Sequence, residues 1–135
     1  MNYEAIIFDI DGTLIDYDYS QYQALDKLLD MVPWNNSERP VTKEVFEYWY
    51  KEKNEFYDRP DSDNINIYEQ QKIILENLLA NWKIIVDSTQ LTKTLFDIYE
   101  TTWRVYPDVL ECLFNINKIK LCVISNGDSK FQRLN

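Results

Sequence analysis

Residues 6–14 join an apolar run to two carboxylates, Asp9 and Asp11, which Gly12 and Thr13 follow directly. Strand residues two apart face the same way, so the loop after such a strand can direct both carboxylates into one site. Carboxylates this close repel each other unless a cation lies between them or one keeps a proton. Magnesium meets the first condition, because it prefers oxygen ligands and retains several waters. Gly12 permits a sharp turn and Thr13 adds a hydroxyl and an amide, so the pattern predicts a metal and phosphate site. The competing interpretation is a strand that ends in an ordinary acidic turn.

A second block, residues 120–124, has the composition of a short buried strand and runs directly into Ser125, Asn126 and Gly127. A hydroxyl with exposed amides at the mouth of a helix suits a phosphate anion. Alone, the sequence Ser-Asn-Gly is an ordinary turn. The block therefore supports a phosphate site mainly because it occurs together with the first block and after it in the chain.

The two blocks resemble the first and second motifs of the haloacid dehalogenase-like (HAD) hydrolases, which are mostly Mg²⁺-dependent phosphatases. The resemblance implies that Asp9 is the nucleophile that becomes an aspartyl-phosphate. It implies that Asp11 is the acid/base, and that the Asp9 side chain and the Asp11 backbone carbonyl bind Mg²⁺. The implied phosphate-binding residues are Thr13, Ser125, Asn126 and Gly127.

Between the two blocks the apolar residues recur at helical spacing and predict four helices. The first covers about residues 18–32, ends before Pro33, and has two possible capping boxes: Ser20 with Gln23, or Asp18 with Gln21. Thr42 is predicted to cap the second helix, and the next two are predicted to open at Asn66 with Glu69 and at Asp87 with Gln90, with a loop over residues 58–64. The predicted apolar stripes comprise Leu25, Leu28, Leu29 and Val32; Val45, Phe46, Trp49, Tyr50 and Phe56; Ile74, Leu75, Leu78, Leu79 and Trp82; and Leu91, Leu95, Ile98, Tyr99 and Trp103.

By resemblance, the fold class is α/β, a Rossmann-like parallel sheet core (incomplete here) with an inserted α-helical cap of the C1 type, which covers the active site and selects the substrate. Residues 1–16 and 105–135 are assigned to the core and residues 17–104 to the cap. The core strands are expected near residues 3–9 and 119–124. Pro107 should lie at the start of the helix that leads to the second strand, and residues 130–134 look like the helix after the second motif.

Composition favours an enzyme of the cytoplasm. The chain of 135 residues is 45% apolar, and it shows neither a signal peptide nor an apolar stretch of membrane-spanning length. Cys112 and Cys122 are expected to be buried thiols.

The absence of His excludes a His-based phosphatase or a His-ligated zinc site, and a net charge of −9 argues against nonspecific nucleic-acid binding. The expected partner is a small phosphorylated metabolite. Asp16 and Asp18 are expected to be solvated loop acids.

The Lys and the additional acidic motif that the family uses are not found in the sequence, because Lys130 and Asp128 lie too close to the second motif. The chain is therefore expected to be the N-terminal part of a longer phosphatase and inactive alone. Two alternatives stay open. One is a short non-catalytic protein that binds a partner through its helical segments; the other is a dehalogenase of the same superfamily, which the presence of Asp11 disfavours.

Overall fold

The computed structural model of the protein describes residues 3–34, 38–116 and 118–127. It comprises two compact units: one runs to Gln21 and resumes at Glu100, and the other is Tyr22–Tyr99. The helix predicted over residues 130–134, together with Asp128, lies outside the described residues. None of the helices described is both long and apolar enough to cross a membrane.

The described residues form two strands, five α-helices and one short 3-10 helix. In chain order they are β1 (Ala5–Asp9), α1 (Tyr17–Leu29), α2 (Thr42–Tyr57), the 3-10 helix (Ser62–Asn64), α3 (Ile67–Ala80), α4 (Thr89–Thr102), α5 (Val109–Asn115) and β2 (Lys120–Ile124). The predicted α/β class is confirmed.

The strands β1 and β2 pair in parallel, in a register that sets Ala5 opposite Lys120 and Asp9 opposite Ile124. The prediction that the second strand is buried is wrong, because all five residues of β2 are exposed. Cys112 and Cys122 are likewise exposed free thiols, contrary to the prediction that they are buried. An apolar strand is buried only where other elements cover its faces, and within the described residues β1 is the only strand beside β2.

The second unit contains a helical core whose centre is Trp49, which has no exposed surface. Most of the predicted stripes are confirmed as buried. The buried members are Leu25, Leu28, Leu29, Val32, Val45, Trp49, Phe56, Ile74, Leu75, Leu78, Leu79, Leu91, Leu95, Ile98 and Tyr99. Phe46 and Tyr50 are only half-buried and meet edge to face, with ring centroids 5.1 Å apart. The aromatic contact gives these two rings a partner at the margin of the core.

Two of the predicted helix starts carry side-chain bonds from the expected residues. The side chain of Asn66 caps α3 by accepting a hydrogen bond from the Glu69 amide at 3.0 Å, as predicted. Asp87 accepts a bond from the Thr89 amide at 2.9 Å, at the residue where α4 begins.

The predicted capping residues of the other two helices are wrong. Helix α1 begins at Tyr17, earlier than either predicted capping box allows, and Asp16 accepts the bond from the Tyr19 amide at 3.2 Å. Thr42 is already the first residue of α2, and its side chain does not cap that helix. Its hydroxyl instead donates to the Asp26 carboxylate.

Asp26 is the centre of a polar cluster that ties α1 to the segment before α2. Arg39 donates to the Asp26 carboxylate at 2.8 Å and to its backbone carbonyl at 2.7 Å, and it also pairs with Asp30 at 2.8 Å. The hydrogen bonds from Thr42 and then from Arg39 hold the pKa of Asp26 below its usual value. A carboxyl group with a lowered folded-state pKa adds stability above its ordinary pKa and loses it as pH falls.

We therefore expect Asp26→Asn to lower the urea midpoint of unfolding at neutral pH, because it removes a charged acceptor. The loss should shrink as pH falls below about 4 and through the lowered folded-state pKa, where wild-type Asp26 itself becomes protonated. Urea unfolding followed by circular dichroism at several pH values measures this. Asp63→Asn, at an exposed acid of the 3-10 helix, is the control and should leave the midpoint nearly unchanged. A loss for Asp26→Asn that is equal at all pH values would contradict the assignment.

Candidate active site

The carboxyl ends of β1 and β2 bring the two sequence motifs together. Asp9 is the last residue of β1 and lies opposite Ile124, the last residue of β2, and Ser125 follows directly. Neighbouring strands of a sheet lie about 4.8 Å apart, so Asp9 and Ser125 emerge side by side at one edge. The side chain of Asp9 is exposed there, and Ser125 is half-buried.

The loop after β1 is wound around one carbonyl. The Ile10 oxygen accepts hydrogen bonds from the amides of Thr13, Leu14 and Ile15 at 3.3, 2.9 and 3.0 Å, and the Gly12 amide donates to Ile15 at 2.9 Å. This winding needs the left-handed conformation of Gly12, whose φ is +78°. It leaves Asp11 half-buried and Thr13 exposed, so the two predicted site residues of the loop differ in access to solvent.

The turn after β2 is held by the predicted phosphate-binding serine. Ser125 Oγ accepts a hydrogen bond from the Gly127 amide at 3.2 Å. The Ser125 hydroxyl keeps its own proton for donation, whereas the Gly127 amide is already engaged in this conformation. Asn126 and Gly127 are exposed.

The chain leaving the loop pairs with the segment that returns to the sheet. Ile15 forms an antiparallel bridge with Val105, the Asp16 amide donates to the Arg104 carbonyl at 2.9 Å, and the Tyr106 amide donates to the Leu14 carbonyl at 3.1 Å. Loop and return segment are thereby joined by backbone hydrogen bonds.

Asp16 is not the solvated loop acid that the sequence suggested. Its side chain is 15% exposed, and one of its oxygens accepts bonds from Arg104 Nε at 3.1 Å and from a terminal guanidinium nitrogen at 2.7 Å. Asp18 is exposed, although it lies in the first turn of α1 rather than in a loop. Desolvation, with help from Asp16 and Asp18, raises the pKa of Tyr106, so its phenol stays neutral at physiological pH.

Arg104 is the residue of this region that sequence reasoning missed. Its partner is 88 residues away in the chain, and no local pattern announces a pair that distant. One feature of the sequence could have indicated it. The segment around residue 105 must return to the first loop if the two motifs are to meet, so a residue there was a candidate partner for the loop.

The donors at this edge suit a hard cation. Asp9 offers a carboxylate oxygen and Asp11 its backbone carbonyl oxygen, and among the described residues no group of three or more His, Cys, Asp or Glu side chains forms a metal-binding cluster. Magnesium fits such a set, since it binds through one or two carboxylates and keeps several waters, whereas structural zinc requires four protein ligands. Asp9 and Asp11 are thus the residues that could hold Mg²⁺.

Gly12→Ala tests the loop conformation. No atom lies within 4 Å of where the added Cβ would be, so its cost comes from the positive φ alone. We expect a loss of about 1–2 kcal/mol in the free energy of unfolding, measured by urea titration. Gly12→Asn is the matched control and should lose less, because Asn adopts this conformation more readily. Equal losses for Ala and Asn would show that the backbone conformation is not the cause.

Comparison of the fold with solved structures finds HAD-type enzymes. The chain superposes on the HAD-hydrolase YfnB from Bacillus subtilis, solved bound to magnesium, with a TM-score of 0.78 and 17% identity, covering 99% of this chain and 57% of that one. The L-2-haloacid dehalogenase from Xanthobacter autotrophicus gives a TM-score of 0.68 and 18% identity, covering 97% and 49%. The chain thus spans about half the length of these proteins, and at such identities the likeness concerns the fold, a Rossmann-like core with helices.

No curated protein sequence matches the chain closely enough to count as a relative. At the level of families, residues 3–134 match the haloacid dehalogenase-like hydrolases. This match covers nearly the whole sequence and includes both motifs that meet at the sheet edge. The chain belongs to the haloacid dehalogenase-like hydrolase family.

Proposed function

We propose that this site belongs to a Mg²⁺-dependent phosphatase that hydrolyses small phosphate monoesters through an aspartyl-phosphate. The observation that carries the proposal is the register of β1 and β2, which sets the exposed Asp9 beside Ser125 while the next loop holds Asp11. A nucleophile, an acid/base and an anion-binding hydroxyl are the groups that this reaction needs.

In the first step an Asp9 oxygen attacks phosphorus, the Asp9 O–P bond forms and the ester P–O bond breaks. Asp11 gives its proton to the departing alkoxide, so the alcohol leaves neutral. In the second step Asp11 takes a proton from a water that attacks the same phosphorus. The acyl-phosphate bond then breaks, which restores the Asp9 carboxylate and releases inorganic phosphate.

Hydrogen-bond donors at the sheet edge are assigned to the phosphoryl oxygens. They are the hydroxyls of Ser125 and Thr13, the side-chain amide of Asn126, and the backbone amide of Gly127 once it releases Ser125 Oγ. The Asp9 carboxylate and the Asp11 carbonyl would hold Mg²⁺, which would supply positive charge that offsets the repulsion between carboxylate and phosphate. The chain carries a net charge of −9, which repels a phosphorylated substrate at long range. The attraction must therefore come from local positive charge at the site.

Asp11 also favours phosphoryl transfer over dehalogenation. A halide ion leaves without a proton, so a second carboxyl group on the loop has no part in its displacement. An alkoxide is a far poorer leaving group and needs the proton that Asp11 would give.

The helical unit is proposed to act as the C1-type cap that selects the substrate, with residues 17–104 as its predicted extent. A small phosphorylated metabolite in the cytoplasm is the proposed partner. The free thiols of Cys112 and Cys122 are consistent with a reducing compartment.

Asp9→Asn should abolish turnover in the full-length gene product, by about 10³-fold or more, because an amide is a poor nucleophile toward phosphorus. Release of phosphate from p-nitrophenyl phosphate with and without Mg²⁺ measures this. Asp18→Asn, at an exposed acid outside the site, is the control and should keep wild-type turnover. Substantial phosphatase activity in Asp9→Asn, or halide release from a short 2-chloro acid in place of phosphate release, would refute the proposal.

A further inference from the structure

We infer that Asp16 and Arg104 are positioning residues that hold the loop carrying Asp11 in its working conformation. The inference rests on the proposed function for its catalytic consequence, but the contacts that carry it are separate. Neither residue is part of the sheet edge where the motifs meet.

Asp16 uses its two carboxylate oxygens for different purposes. One caps α1 by accepting from the Tyr19 amide at 3.2 Å. The other accepts both Arg104 bonds, at 3.1 and 2.7 Å. With 15% of its side chain exposed, Asp16 is mostly withdrawn from water, which strengthens a charge-assisted bond relative to one at an open surface.

Arg104 is itself held in place. Its guanidinium carbon lies 3.5 Å from the centre of the Tyr19 ring, so the group stacks on the residue whose amide Asp16 caps. A planar guanidinium can stack on the ring and donate two bonds to a carboxylate together, which a lysine ammonium cannot reproduce. Asp16, Tyr19 and Arg104 thus form a closed set of contacts.

The contacts lead from this set to Asp11 in two steps. Asp16 follows Ile15, whose carbonyl accepts the Gly12 amide at 2.9 Å and which forms a parallel bridge with Asp11. The Asp16 amide also donates to the Arg104 carbonyl, so backbone and side chain fix Asp16 to the same residue. Loosening the ion pair therefore loosens the end of the loop on which the Asp11 backbone depends.

Asp16→Asn separates this role from simple helix capping, because Asn caps a helix about as well as Asp but removes the charge that Arg104 binds. For the sequence described here we expect amide hydrogen exchange of Leu14 and Ile15 to become about tenfold faster, a larger local effect than the accompanying fall in the urea midpoint accounts for. Arg104→Gln should have the same effect, and the double variant should be no worse than the worse single one.

Arg59→Gln is the matched control. Arg59 also donates two bonds to a carboxylate, that of Asp61 at 3.1 and 2.8 Å, and also lies over an aromatic ring, that of Phe56 at 5.1 Å. It belongs to the helical unit, so its loss should leave exchange in residues 10–16 unchanged.

In the full-length gene product, Asp16→Asn and Arg104→Gln should lower kcat about tenfold with KM nearly unchanged, since the loop positions Asp11 rather than binding substrate. Unaltered exchange of Leu14 and Ile15 in both variants overturns the inference whatever the activity. Wild-type kcat in both, with Asp9→Asn inactive, overturns it too. Activity retained in Asp9→Asn, with accelerated exchange in Asp16→Asn, instead defeats the proposed function and leaves the positioning contact standing.

Discussion

The parallel pairing of β1 with β2 is the interaction on which the rest of the first unit depends. It converts two motifs at opposite ends of the sequence into neighbours, because parallel strands place their carboxyl ends at one edge. Asp9 and Ser125 owe their proximity to the register alone. A shift of one residue would turn every side chain of one strand to the other face of the sheet.

The loop after β1 places a second carboxyl group, that of Asp11, next to this edge. A single carbonyl, that of Ile10, collects three amides, and the resulting turn is narrow enough to bring Asp11 back beside Ile15. Such a turn is set by backbone geometry and needs Gly12 at a positive φ. The acid/base proposed for the reaction is therefore presented by hydrogen bonds of the main chain.

Much of the fold could be predicted from the sequence, because the helices and one of their caps are indicated by residues close together in the chain. Apolar residues at helical spacing located α1 to α4, and the Asn66–Glu69 pattern placed the start of α3 correctly. The errors arose where a residue's partner is distant in the chain. Thr42 was expected to cap its helix, yet it serves Asp26, and Asp16 was expected to be solvated, yet it binds Arg104. The prediction that β2 is buried was wrong for a related reason. The apolar composition of a strand shows that it can be buried, but not whether other elements cover it.

The same strand pairing has a consequence for how the protein folds. The strands that create the edge are separated by roughly a hundred residues, and closing so long a loop costs considerable chain entropy before any contact offsets it. The helical unit lies between them in the chain and is built from local contacts, so it can form early and shorten the effective loop. On this view the strands pair late in folding, and the edge at which the two motifs meet is among the last features of the molecule to appear.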